Sequence, residues 1–379
     1  MRAVVAVLAL GLVLAGCTSD PPPPGPPPRA STSGTGSAGS TDGPSLGTPR
    51  AVHRATTLPG GSVLFTGGCS APGCEGVAAA ATTARYDPVT GAVTAGPRLS
   101  VPRLSHTATL LPDGRVLVAG GYPGEGAAPT DSVEVVDLGT ATARPYGRLR
   151  AARADHTATL LPDGRVLIAG GRGADGAARR DTELVGTDGS VRPGPPLPGP
   201  RTAHTATATG SRLVLVGGTA TADPALSSTA VLDLATLRWS AGPRLLRPRV
   251  KHAAVALPGG GLLVLGGSPD AESAALYDDT EVLPATGRAR PGPALPDGRY
   301  KLSDAVAVLP DGRVLVAGGP TLLAVDVAAG TVRPLPGPAL DGRRSFQTLS
   351  LLPGARALVA GGYDGAIAPT DRTWVFPVT

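Results

Sequence analysis

An all-β repeat fold is predicted by three features of this 379-residue sequence: 54 glycines and 41 prolines against 3% aromatic residues, seven regularly spaced Gly-Gly pairs, and an apolar run before each pair. Such a composition suits short strands joined by tight turns rather than long helices. The pairs begin at Gly67, Gly120, Gly170, Gly217, Gly266, Gly318 and Gly361, with spacings of 53, 50, 47, 49, 52 and 43 residues. Periods of this size mark repeat architectures.

Within a repeat the elements follow in a fixed order. A strand such as His106-Thr107-Ala108-Thr109-Leu110 leads to a Pro112-Asp113-Gly114 turn and then to the apolar run Val116-Leu117-Val118-Ala119. These two strands make a hairpin. The glycine pair ends the buried second strand, where it permits backbone angles and close approaches that a side chain would block. A loop of variable length, a third strand such as Val133-Glu134-Val135-Val136 and a short fourth segment complete the unit. Four strands per unit and seven units predict a seven-bladed β-propeller.

The stretch "RLSHTATLLPDGRVLVAGG", ending at Gly121, and its near copy "RADHTATLLPDGRVLIAGG", ending at Gly171, resemble the bacterial kelch repeat. That resemblance covers about residues 50 to 379 and implies a kelch-type propeller. It is incomplete in the fourth strand, where kelch repeats often carry tryptophan: Trp239 stands there in one unit, but Val93 and Val191 in others. The seventh repeat stops after its third strand, Thr373-Trp374-Val375-Phe376, near the end of the chain. Residues 43–50 match 96–103, which close one blade and enter the next. The segment just before Arg50 is therefore expected to supply the missing strand and close the ring.

The N-terminus carries a separate message. Arg2 precedes an apolar run from Ala3 to Ala15 that has the size of a signal-peptide core and ends in Leu14-Ala15-Gly16-Cys17. This ending resembles the bacterial lipobox, which implies cleavage before Cys17 and diacylglycerol on its thiol. Residues 1–16 are thus expected to be a signal peptide, and 17–40 a lipidated, Pro/Gly/Ser-rich tether that cannot bury a core. Residues 41–379 are expected to form the propeller. Membrane contact through the lipid anchor, on the extracytoplasmic side of the cell envelope, follows from the resemblance. Cys69 and Cys74 remain as an even pair in an oxidising compartment and are expected to form a local disulfide.

The formal net charge of +5 is spread along the chain without a basic run, which argues against nucleic-acid binding. No Gly-x-Ser-x-Gly elbow or Walker phosphate loop occurs, and the adjacent carboxylates Asp278 and Asp279 read as a solvated turn. All five histidines, His53, His106, His156, His204 and His252, hold one repeat position, with Asp304 and Gln347 at that place in the last two repeats. Two readings are open. The imidazoles approach the channel mouth and hold a metal, or they tie strands and blades together with the arginines three residues earlier, Arg103, Arg153, Arg201 and Arg249. Recurrence in every early repeat favours the structural role.

Galactose oxidase is a kelch-propeller enzyme whose copper is held by tyrosine and histidine, with one tyrosine cross-linked to cysteine. Here none of Tyr86, Tyr122, Tyr146, Tyr277, Tyr300 and Tyr363 is followed by histidine, and Cys69 and Cys74 share one loop. The sequence therefore predicts no cofactor and no catalysis. It predicts a monomeric binding scaffold for an envelope protein or glycan, the rivals being a channel-mouth enzyme and a purely structural envelope protein. Antiparallel geometry gathers the variable loops after the Gly-Gly pairs on one face, opposite the uniform Pro-Asp-Gly turns, and that face is the expected place for binding.

Overall fold

The computed structural model describes residues 41–72, 80–220, 224–270 and 275–378. The chain divides into Met1–Ala38 and Gly39–Thr379, and every described residue belongs to the second unit. The signal peptide, Cys17, the tether and Cys74 lie outside the described residues.

The second unit is an all-β propeller with seven four-stranded antiparallel sheets. The first blade runs outward through Arg54–Thr57, Val63–Thr66, Thr83–Tyr86 and Val93–Ala95. Its successors begin with the innermost strands Thr107–Leu110, Thr157–Leu160, Thr205–Thr209, Ala253–Ala256, Val306–Val308 and Thr348–Leu352. Each innermost strand packs beside the next, and the last packs beside the first. In the seventh blade the outer strand is Thr41–Asp42, which pairs antiparallel with the third strand Thr373–Pro377. The two ends of the propeller thus share one sheet, and the ring closes through backbone hydrogen bonds.

The core lies between blades. Second strands such as Val63–Thr66, Val116–Ala119, Val166–Ala169 and Leu262–Leu265 are buried at every residue, because one face of each sheet packs on the blade before and the other on the blade after. This two-sided burial explains why these strands read as continuous apolar runs rather than alternating ones. With few aromatics, Val, Leu and Ala fill most of the interface. Phe65 and Tyr86 of the first blade and Trp374 and Phe376 of the seventh are the large exceptions and are fully buried.

The Gly-Gly pairs are where blades touch. In the first pair, Gly67 and Gly68 have φ of 60° and 101°, and a Cβ on Gly67 would lie 2.7 Å from Cε1 of His106 in the next blade. The same imidazole approach occurs at Gly120 from His156, at Gly170 from His204, at Gly217 from His252 and, across the closure, at Gly361 from His53. Glycine is required both by the backbone angle and by the ring lying against it.

Candidate functional site

The five histidines are buried between blades, with His106 fully inaccessible. Each Nε2 meets a threonine hydroxyl of the preceding blade: His53 to Thr348 at 3.1 Å, His106 to Thr66 at 2.8 Å, His156 to Thr107 at 3.0 Å, His204 to Thr157 at 3.1 Å and His252 to Thr205 at 3.0 Å. Burial pushes His53 and His252 down to about 3 and the other three well below the ordinary value, with nearby arginines adding to the effect. Their rings are therefore neutral spacers with one nitrogen already engaged.

The expected substitutes at this position behave differently from each other. Gln347 keeps the role, since its Oε1 accepts from the Gly318 amide at 3.0 Å. Asp304 holds the same strand register, but Leu302 fills the niche over Gly266 instead. A turn from Leu302 to Ala305 releases the Asp304 carboxylate toward the channel.

The repeat arginines work within their own blades. Arg103 donates to the carbonyls of Gly120 and Ser132 at 2.7 and 3.0 Å, and pairs with Glu134 at 2.7 Å. Glu134 in turn accepts from the amides of Ser100 and Val101 at 2.6 and 3.2 Å, so it clamps the crossover from the previous blade. Glu183 with Arg153 and Glu281 with Arg249 repeat the arrangement. Sequence reading had reached the arginines but not these buried glutamates, which recur in only three repeats.

The channel opens on the face that carries the loops after the Gly-Gly pairs. Its mouth encloses a cavity of about 360 Å³ lined by residues that include Arg54, Asp155, Arg172, Lys251, Asp304 and Phe346. Seven residues form a collar around it, six of them one before the histidine position and Lys301 one before Leu302: Val52, Ser105, Asp155, Ala203, Lys251, Lys301 and Phe346. All seven have left-handed backbone, with φ between 52° and 58°, a conformation that costs a non-glycine residue about 1 kcal/mol or more. Hydrogen bonds along the collar support it, from Asp155 N to Ser105 O, Ala203 N to Asp155 O, Lys301 N to Lys251 O and Phe346 N to Lys301 O, at 2.9 to 3.3 Å.

The post-glycine loops are stitched to this collar. Cys69, Tyr122, Arg172, Thr219, Ser268 and Tyr363 each form an antiparallel bridge with the residue just before a collar residue. Cys69 is buried there against Ala51. The expected Cys69–Cys74 pairing involves a cysteine outside the described residues.

Charge at the mouth is arranged across the ring. Arg54 of the first blade pairs with Asp304 of the sixth at 3.0 Å, although the seventh blade stands between them. Burial raises the Asp155 carboxyl, partly offset by Ser105, Lys251, Arg54 and Arg172. Lys251 donates to the Tyr300 hydroxyl at 3.0 Å, and Lys301 donates to the Tyr363 hydroxyl. The Lys301 ammonium lies 5.0 Å from the centre of the Tyr300 ring, 5.3 Å from Phe346 and 5.0 Å from Tyr363. Burial, with Lys251 close by, lowers Lys301 to about 8.

This donor set does not fit copper. The imidazoles point between blades and bond threonine, while Tyr300 and Tyr363 at the mouth engage lysines. Among the described residues, no group of three or more His, Cys, Asp and Glu side chains comes together in a way that would hold a metal ion.

No protein-family model and no curated protein sequence matches this chain. Solved structures do. A fungal alcohol oxidase of the AA5 family, in complex with copper, superposes with a TM-score of 0.70 at 16% identity, over 89% of this chain and 76% of the oxidase. YjhT superposes with a TM-score of 0.61 at 14% identity, over 77% of this chain and 99% of that protein. At these identities the likeness is one of fold, and it places the chain among seven-bladed β-propellers with structural neighbours of the galactose oxidase type.

Proposed function

We propose that the chain is an exported, lipid-anchored propeller of kelch type that binds a protein or glycan at the cell envelope. The collar carries this reading. A sevenfold scaffold holds one backbone conformation at seven positions, yet the side chains there are Val, Ser, Asp, Ala, Lys, Lys and Phe. Packing alone repeats its residues, as the histidines and glycines do. Diverse chemistry on a uniform, strained frame around an open cavity is the pattern of a recognition surface.

The neighbouring loops extend that surface, and their first residues are fixed to it by backbone bridges. An oxidase reading draws on the fold of the alcohol oxidase, but fold does not carry activity, and the mouth of this propeller offers lysines where copper needs imidazole and phenolate.

The test is capture of fractionated envelope protein and polysaccharide by the full chain immobilised from detergent. Replacing 122–130 and 172–180 by short Gly/Ser turns should reduce capture without unfolding the propeller, whereas altering the turns at Asp113 and Asp163 should not. Capture lost only in the second pair would put the site on the opposite face. Anchoring has its own measurement: Cys17→Ser should move the protein out of the membrane fraction or leave it unprocessed, and an unchanged, acyl-free membrane-bound form would refute the lipid.

A further inference from the structure

The first and sixth blades break the repeat at their innermost strands, and each break is compensated nearby. Four blades carry a threonine just after the histidine position, Thr107, Thr157, Thr205 and Thr348, and each hydroxyl bonds the histidine of the following blade. The first blade has Arg54 there. Its cross-strand partner is Thr66, at a place that holds Ala119, Ala169, Val216 and Ala360 in those four blades, and Thr66 makes the bond to His106 at 2.8 Å. The hydroxyl has crossed the strand pair, and position 54 is released from the tie. In the sixth blade Leu302 fills the niche over Gly266, which releases Asp304, and the fifth blade accordingly carries Ala253 where a threonine would have no imidazole to meet.

The two released side chains meet. Arg54 Nη1 donates to Asp304 Oδ1 at 3.0 Å, while its Nε donates to the His106 carbonyl at 2.7 Å. Two separate departures from the repeat, each with its structural task passed to a neighbour, thus converge on one ion pair in the channel. With side chains 21% and 28% exposed, such a pair adds little stability, so ring closure does not account for it.

Arg54 and Asp304 line the cavity of about 360 Å³, and together with Asp155, Ser303 and Phe346 they also line a recess of about 30 Å³ beside it, enough for one hydroxyl group or water. Among the described residues, Arg54 Nη2 and Asp304 Oδ2 have no hydrogen-bond partner, so the pair presents a donor beside an acceptor. The other ionic groups of the lining are engaged: Arg172 donates to the Gly176 carbonyl at 2.9 Å, Lys251 donates to the Tyr300 hydroxyl at 3.0 Å, and Asp155 is hydrogen-bonded to Ser105. An anion would have to compete with Asp304 for the guanidinium, and a cation with Arg54 for the carboxylate. Hydroxyls do neither, because each both donates and accepts. The ring of Phe346 supplies an apolar wall suited to the C–H face of a pyranose.

We propose that Arg54 and Asp304 form the recognition pair of a site for a neutral sugar, with Asp304 accepting from one hydroxyl and Arg54 donating to the hydroxyl on the adjacent carbon. This rests on the binding reading above and narrows its ligand to an uncharged, polyhydroxylated unit.

The experiment is ligand-detected NMR titration of the full chain, in a detergent without a sugar headgroup, with methyl α-D-mannopyranoside, methyl β-D-galactopyranoside and, as the ring without adjacent hydroxyls, tetrahydropyran-2-methanol. At least one pyranoside should bind, and tetrahydropyran-2-methanol should not at the same concentration. Arg54→Thr, which gives the first blade the residue that four other blades carry, and Asp304→Asn, which keeps the shape of the side chain, should each weaken binding about tenfold or more. Their melting temperatures should stay within about 3 °C of the unsubstituted chain. Failure of both pyranosides to bind, equal binding of tetrahydropyran-2-methanol, or undiminished binding by both variants would overturn the proposal. A large fall in melting temperature in both variants, with no sugar bound by the unsubstituted chain, would make the pair a tie across the channel instead. If the loop replacements still abolish envelope capture while neither pyranoside binds, the scaffold reading stands and this assignment falls.

Discussion

Acid should unfold this propeller through its histidines, before the clamp carboxylate Glu134 titrates. The five imidazoles are buried, with His53 and His252 down to about 3 and the rest well below 6.5. An unfolded chain binds those protons near 6.5, whereas the folded one does not. Stability from this source is complete above pH 6.5 and is lost as the pH falls toward 3. At pH 5.5 each histidine lowers stability by about 1.4 kcal/mol, and five lower it by about 7 kcal/mol, which is comparable to the whole stability of a typical protein. The clamp carboxylate Glu134 does not share this window: burial pushes it upward, but Arg103 and the Ser100 amide outweigh that and hold the group below its ordinary value. The assay is guanidinium unfolding at pH 7.5, 6.5 and 5.5 for the unsubstituted chain and for His252→Gln, the residue that Gln347 already supplies at the equivalent place. The variant should lose about 1.4 kcal/mol less on going to pH 5.5. A stability that is flat over this range, or the same decline in both proteins, would refute the buried-neutral account of the repeat histidine.

Three other outcomes test the frame. Glu134→Gln leaves Arg103 without its buried counter-charge and weakens the hold on the Ser100 and Val101 amides, so it should cost about 3 kcal/mol in guanidinium unfolding; a loss under about 0.5 kcal/mol would show that the pair contributes little net stability. Gly67→Ala should be far more damaging than Gly91→Ala, because both have positive φ but only the first Cβ would meet a neighbour, whereas nothing lies within 4 Å at Gly91; equal melting temperatures would remove the imidazole-on-glycine packing as a reason for the motif. Deleting 18–36 should leave the melting temperature unchanged, while deleting 37–46 removes Thr41–Asp42 and should lower it; equal effects would mean that the shared sheet contributes nothing to closure.

The fold was legible because its constraints repeat. Glycine pairs at blade contacts, apolar runs buried on both faces and short turns recur seven times, and each recurrence reinforces the others. Closure was legible for the same reason: 43–50 copies 96–103, and the structure has residues 41–42 in the seventh sheet. What the sequence concealed lies where repeats diverge. Glu134, Glu183 and Glu281 carry buried ion pairs, but Ala84, Ala230 and Trp374 occupy the equivalent strand position in other blades, so no pattern pointed to them. Asp304 stands as far before Gly318 as four of the histidines stand before their glycine pairs, and that spacing is right for the strand. It misses the turn from Leu302, which gives the niche to leucine and the channel to the carboxylate.

The candidate site stands one residue away from the signal that drew the eye. A histidine at a repeated position on an innermost strand invites a metal at the channel mouth, but the left-handed residue just before it reverses which side chain faces the channel. The conformation that turns Val52, Ser105, Asp155, Ala203, Lys251, Lys301 and Phe346 toward the mouth turns the following residue, histidine in five blades, into the interface between blades. Packing then fixes the histidine, because its ring spans from its own blade to the threonine of the preceding one with a glycine beneath it. Nothing comparable fixes the collar residue, whose side chain borders open space and whose backbone is held by its neighbours. The position is thus free to vary without cost to the fold, and its divergence from blade to blade is the feature a search for repeated residues discards. In a propeller, the informative positions for function are those where a repeated backbone conformation carries unlike side chains, and here four of them, Asp155, Ala203, Lys251 and Phe346, line the cavity at the mouth.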